Sequence, residues 1–169
     1  MNQLKQFVVQ KASPEDYELV ISLLKEIAKW LQDNRINQWS YLLGGGDDEE
    51  IKQSIQENHT YKVLKDDVII ATFTLSPEQS EWDQHIFGKE EVYDSMYLHR
   101  LAVRPQYMNR GVGKEILQWI HENLGGGKRF IKLDCVADNV KLNRFYRDNG
   151  FEYLGDTDNH SKYKKHFIR

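Results

Sequence analysis

Gly111 and Gly113 stand one residue apart between Arg110 and Lys114, and this spacing is the chain's clearest hint of chemistry. A glycine lets backbone approach a bound group closely because no Cβ stands in the way. If the segment opens a helix, its first N–H groups have no intrahelical partner and sit at the positive end of the helix dipole. Residues 109–114 would then cradle a phosphate or pyrophosphate, with Arg110 and Lys114 adding charge at the rim. The same glycines would equally serve a plain turn, and spacing alone leaves both readings open. Two common phosphate motifs are excluded. A G-x-x-x-x-G-K-[ST] loop would need glycine at Met108 and Ser or Thr at Glu115, and G-x-G-x-x-G fails at Ile116.

The elements that must position this segment follow from periodicity and punctuation. "FVVQKA" (7–12) reads as a first strand. Ser13, Pro14 and Asp16 open a helix as N-cap, first-turn proline and third-position acid. Tyr17, Val20, Ile21, Leu24, Ile27, Ala28 and Leu31 then recur at helical spacing, predicting a helix over 14–33. A loop with Trp39, Tyr41 and three glycines leads to a more polar helix at 47–58. "TYKVLK", Asp66-Asp67 and "VIIATFTL" read as a hairpin, although Asp-Asp is a weaker turn signal than Asp-Gly. Residues 77–93 read as a polar, acidic connection. "SMYLHRLAV" (95–103) is a fourth strand, stopped by Pro105. A helix is expected over 111–124, a fifth strand over 130–136 and a short helix over 138–150, before closing strands in "FEYLGD" and "SKYKKHFI". Strands interleaved with helices but also adjacent in hairpins predict a mixed α+β sheet rather than a parallel one.

Composition narrows the setting. A length of 169 residues suggests one domain, spanning 1–169. The net charge of −3 argues against a nucleic-acid partner and against a membrane surface. Cys135 is the single cysteine, so no intramolecular disulfide forms, and it reads as a small buried apolar residue. The N-terminus lacks the apolar core of a leader peptide, which points to a cytoplasmic protein. His121, His160 and His166 have no metal-ligand spacing, so no metal is expected.

"LHRLAVRPQYMNRGVGKEIL" followed by "DNVKLNRFYRDNGF" resembles the GNAT superfamily of acetyl-CoA-dependent N-acetyltransferases. In that pattern a strand ends near V-x-P, [QR]-x-x-G-x-[GA] opens a helix, and N-x-x-A-x-x-h-Y-x-x-x-G-F follows, with h apolar. Val103, Pro105, Gly111 and Gly113 match the first block; Asn139, Phe145, Tyr146, Gly150 and Phe151 match the second. Met108 replaces the usual Gln or Arg, and Leu142 the usual Ala. The resemblance implies a GNAT-like α+β fold: a mixed, mostly antiparallel, six- to seven-stranded twisted sheet. Helices would lie on both faces, with a V-shaped split between strands four and five.

It also implies transfer of an acetyl group from acetyl-CoA to a primary amine, by direct attack in a ternary complex. A small-molecule acceptor is the first expectation. A protein N-terminus or lysine acceptor, or a non-catalytic acyl-CoA-binding module, are the alternatives. Homodimers are common in such a family. Leu101, Ala102 and Val103 would line the pantetheine arm, and Met108, Asn109, Arg110, Gly111, Val112, Gly113 and Lys114 the pyrophosphate. Asn139 would contact the pantetheine, cap a helix, or do both. Tyr146 would protonate the departing thiolate, a phenol near pKa ~10 facing a thiol near ~8.5; its plainer role is a core tyrosine.

The base is His99 by first choice. Two-residue strand periodicity puts it on the face of Leu101, and arylalkylamine acetyltransferases carry a histidine at the matching place. Asp94, Glu91 or a water chain are the alternatives, and a packed histidine is the plain one. Trp30, Trp39, Tyr41 and Asp94 are expected at the acceptor, the aromatics being core residues otherwise. The acidic stretch 78–94 would attract a cationic amine or simply be a solvated surface.

Overall fold

A computed structural model describes residues 7–36 and 38–167. Residues 1–6, on which the reading of the N-terminus partly rests, and Ile168 of the expected last strand lie outside the described residues. The elements in order are β1 (Val8–Lys11), α1 (Tyr17–Asp33), α2 (Asp48–Gln56), β2 (Thr60–Lys65), β3 (Val68–Ser76), α3 (Glu81–Phe87) and β4 (Ser95–Val103). There follow α4 (Val112–Asn123), β5 (Phe130–Val136), α5 (Val140–Asp148), β6 (Glu152–Thr157) and β7 (His160–His166). The sheet has seven strands in the order β1-β2-β3-β4-β5-β7-β6, with β4 and β5 parallel. The β1–β2, β2–β3, β5–β7 and β6–β7 pairs are antiparallel. This is the mixed, mostly antiparallel α+β architecture expected.

The chain divides into two compact units, the first running to Leu75 and including Arg100–Ile116, the second comprising Ser76–His99 and Leu117 onward. The core of the first is aliphatic. Val20, Leu23, Leu24, Ile27 and Ala28 of α1 pack with Leu42, Ile51, Ile55, Ile69 and Ala102. The α1 stripe exists because apolar residues repeat every third or fourth position. Its start differs slightly from expectation: Pro14–Asp16 is a 3₁₀ turn, and the α-helix proper begins at Tyr17. There the Asp16 carboxylate accepts from the Ser13 N–H at 2.8 Å and hydroxyl at 3.2 Å, and pairs with Lys62 at 3.0 Å. Asp66 and Asp67 do make the hairpin turn, with φ of 51° and 64°. Both lie in the left-handed region that a tight hairpin requires and that aspartate tolerates.

In the second unit β5 is paired along its whole length with β7 and alternates buried Ile131, Leu133 and Cys135 with half-buried residues. Among the described residues, the β4–β5 ladder is confined to the three pairs from Ser95–Phe130 to Tyr97–Lys132, although β4 runs on to Val103. The connection 77–93 contains α3, which reading it as an irregular link misses. A capping box makes it: the Asp83 N–H donates to Ser80 Oγ at 3.1 Å, and the Ser80 N–H to Asp83 Oδ2 at 2.9 Å. No helix among the described residues is long and apolar enough to cross a membrane.

Candidate active site

In the first unit, residues 108–114 form the turn into α4. Asn109 has φ of 60° and Gly111 of 79°, so the chain visits the left-handed region twice within three residues. The Glu115 N–H bonds the Gly111 carbonyl at 3.1 Å. The N–H groups of Val112, Gly113 and Lys114 therefore precede the first bond of the helix ladder. Arg110 and Lys114 are exposed, and nothing stands within 4 Å of where a Cβ on Gly111 would be. Backbone N–H groups, a guanidinium and an ammonium make a donor-only set, which fits the pyrophosphate of a coenzyme A molecule. Met108 packs against the aliphatic core. Its side chain thus has a structural reason to be apolar, and the departure from Gln or Arg leaves the backbone donors intact.

The strand leading to this turn is anchored at its end. The Arg104 N–H bonds the Ile70 carbonyl at 2.8 Å, while its guanidinium reaches the Ile69 carbonyl and Glu26 at 2.7 Å. Ala102 is buried in the core, and Leu101 and Val103 on either side of it are half-buried. Arg100 has φ of 51°, an uncommon conformation for a residue with a long side chain. Its guanidinium is held by Asp47 at 2.8 Å and Glu50 at 3.3 Å. A left-handed residue interrupts the two-residue period, so alternation does not by itself put His99 and Leu101 on one face.

His99 belongs to the second unit, where its Nε2 lies 3.1 Å from Oδ2 of Asp83. Asp83 is 1% exposed. On β5, Asp134 accepts from the Trp82 indole at 3.0 Å. Burial pushes the Asp134 carboxyl up and Asp83 adds to this, against the indole bond and the charges of His99 and His160. Trp82 itself stacks edge-on with His160, ring centres 4.9 Å apart. Acid, imidazole and indole groups are thus gathered from α3, β4, β5 and β7.

Tyr146 is buried on α5 among Phe145, Phe151 and Tyr163, with ring centres 5.2 to 5.9 Å away. Burial pushes its phenol up, with Cys135 and Asp134 adding. The Cys135 thiol is itself pushed up to about 12, chiefly by burial and then by Asp134. Asn139 caps α5, its Oδ1 accepting from the Leu142 N–H at 3.0 Å. Asn143 is a residue the sequence reading passed over. Buried at the heart of the unit, it donates to the carbonyls of Asn139 and Val136 and accepts from Tyr163 Oη at 2.6 Å. It ties the end of β5 to α5, and its spacing of four from Asn139 was the available signal.

The residues expected around an acceptor have other contacts. Trp30 and Trp39 pack against the aliphatic core of the first unit. The side chain of Tyr41 lies outside the described residues. The Asp94 carbonyl accepts from the Arg129 and Phe130 N–H groups, and its carboxylate is 4.0 Å from the Arg129 guanidinium.

Residues 23–151 match the model of the Acetyltransferase (GNAT) family. The chain is 42% identical over 142 residues to the uncharacterized N-acetyltransferase YesJ of Bacillus subtilis, covering 83% of this chain and 79% of that one. A crystal structure of a GNAT-family acetyltransferase from Listeria monocytogenes matches with a TM-score of 0.81 at 26% identity, over 95% of this chain and 94% of the other. The PaiA N-acetyltransferase of Thermoplasma acidophilum, solved in complex with coenzyme A, matches with a TM-score of 0.75 at 20% identity, over 95% and 99% of the two chains.

Proposed function

Because this chain belongs to the GNAT family and is therefore an acyltransferase, we propose that it moves the acetyl group of acetyl-CoA onto a primary amine of a small molecule. The acceptor attacks directly in a ternary complex. The observation that carries the reading is the donor-only turn at 109–114, with its two left-handed residues opening α4. A carboxylate, an indole face and an imidazole gathered around Asp134, Trp82 and His99 support a cationic amine as acceptor.

Acetyl-CoA, when bound, supplies an acetyl group already activated as a thioester. The N–H groups of 112–114 hold its pyrophosphate, and Arg110 and Lys114 neutralise the remaining charge. Leu101 and Val103 offer backbone to the pantetheine arm, and Asn139 adds a contact there while capping α5. The N–H of Val103 or its neighbour stabilises charge developing on the carbonyl oxygen. An alkylamine near pKa ~10.4 must lose a proton before it attacks, which costs about 4.6 kcal/mol at pH 7. His99 takes that proton. Tyr146, kept protonated by its burial, has one to give to the departing sulfur.

Thermal unfolding with acetyl-CoA, free CoA and ATP tests the first half. Both CoA species at 100 times their dissociation constant should stabilise by ~2.7 kcal/mol, a rise of several degrees, while ATP does little. Thiol release with spermidine, kanamycin and tryptamine tests the second half. Tyr146→Phe should then keep the CoA shift and lose turnover about 100-fold. Absence of any CoA shift would make the turn only a turn.

A further inference from the structure

We infer that Asp83 is the positioning residue of His99, fixing the imidazole so that Nδ1 is presented as the proton acceptor. The inference rests on the reading of His99 as the base. It comes from a segment that the family motifs do not touch: α3, inside the acidic connection before β4.

Asp83 is 1% exposed, and its carboxylate is not a loose surface charge. Oδ2 accepts from the Ser80 N–H at 2.9 Å and faces His99 Nε2 at 3.1 Å. Oδ1 is buried without a hydrogen-bond partner among the described residues. Two bonds to one oxygen, with the capping box locking the backbone behind it, hold the carboxylate in one place. An ionised carboxylate only accepts, so Nε2 carries the hydrogen and Nδ1 the lone pair. When Nδ1 takes a proton, the positive ring remains hydrogen-bonded to a negative partner. His99 is itself only partly covered, its side chain 20% exposed, so the ring is held on one side and reachable on another.

The charged and titratable groups around this ring come from several elements. Asp83 stands on α3, and Asp134 on β5 interacts with both His99 and Asp83. Tyr97, two residues earlier on β4, interacts with Asp83, and His160 on β7 acts on Asp134. Asp83 differs from the others in being hydrogen-bonded to the ring. Asp134 spends an oxygen on Trp82.

The test uses the full chain carrying Asp83→Asn, an isosteric change, beside Ser80→Ala, which breaks the capping box but leaves the pair of Asp83 and His99 in place. Nitrogen NMR of the imidazole in the unliganded protein should show the Nε2–H tautomer in the parent chain and in Ser80→Ala. In a third variant, Asp83→Ala, which leaves Nε2 without this acceptor, it should show a mixture; in Asp83→Asn the amide oxygen, held by the Ser80 N–H, should keep the parent tautomer. With the better acceptor of spermidine and tryptamine, Asp83→Asn should lower kcat/KM about 100-fold. Ser80→Ala should melt earlier without changing the tautomer. The inference is overturned if Asp83→Ala keeps the parent tautomer, if Asp83→Asn keeps the parent kcat/KM, or if Ser80→Ala reproduces the tautomer change of Asp83→Ala. Failure of the proposed function would look different: no acetyl transfer by the parent chain, with the tautomer pattern as described.

Discussion

The two units of this chain are held together by different chemistry. The first is an aliphatic cluster in which α1 and α2 supply most of the buried side chains, and its charged groups act as local ties such as Asp16 with Lys62 and Arg104 with Glu26. Among the described residues the first buries Asp16, Thr60, Thr72 and Thr74 and the second Asp83, Ser95, Asn143 and Ser161, but the second adds the buried phenols of Tyr97, Tyr146 and Tyr163. The lesson is that the proposed chemistry draws on each in its own currency. The first unit contributes oriented backbone at 109–114, and the second contributes side chains whose orientation depends on buried hydrogen bonds.

The contrast can be tested by what each unit loses on substitution. The largest effect should come from Leu24→Ala, a cavity in the aliphatic cluster costing about 3 kcal/mol, read as a lower urea midpoint at unchanged slope. Asn143→Ala should follow at about 2 kcal/mol. It removes no large apolar volume but takes the acceptor from the buried Tyr163 hydroxyl and the side-chain donor from the Asn139 and Val136 carbonyls, which keep their backbone N–H partners. If Asn143→Ala proved neutral while Leu24→Ala kept its full effect, the idea that buried polar bonds hold the second unit would fail. Gly111→Val should cost about 1–2 kcal/mol from the positive φ alone and abolish the CoA thermal shift. A variant that lost stability yet kept the shift would show that backbone at the turn is not the binding element.

The smallest effect is pH-dependent. Burial pushes the Asp16 carboxyl up, but the Ser13 N–H bond and Lys62 outweigh it, so the net shift is downward. A carboxyl lowered by folding stabilises the folded state above its unfolded pKa, and that contribution disappears as pH falls through the folded value. Asp16→Asn should therefore cost about 1 kcal/mol at pH 7, a difference that closes as pH drops below about 4. A constant difference across that range would assign the effect to something other than charge.

How far the molecule could be read from its sequence follows the same division. The strands at 95–103 and 130–136 were found with their bounds, because Pro105 closes the first and the glycines at 125–127 precede the second, whose apolar residues alternate. The turn at 109–114 into α4 was legible as a turn because two glycines one residue apart stand where a strand gives way to a helix. Asp83 and His99 are 16 residues apart and meet only through tertiary structure, so no spacing rule points to the pair. Helix α3 carried its capping box in plain view, but seven residues are too few to show a period. The left-handed backbone at Arg100 was invisible, since arginine does not announce it and the ion pairs of its guanidinium come from residues 47 and 50. Trp30 and Trp39 looked like pocket walls because an aromatic on an amphipathic face has the same pattern whether it meets a ligand or a core.

The burial of Cys135 has a practical consequence for assay design. Released coenzyme A is conveniently followed by its reaction with a disulfide reagent such as Ellman's, which a protein's own thiols normally contaminate. Here the chain's single thiol is interior and pushed up to about 12, chiefly by burial, so little of it is the reactive thiolate at the mildly alkaline pH of such an assay. Colour developed under native conditions thus reports product rather than enzyme. The same residue turns into a stopwatch in denaturant, where the onset of labelling times the opening of β5.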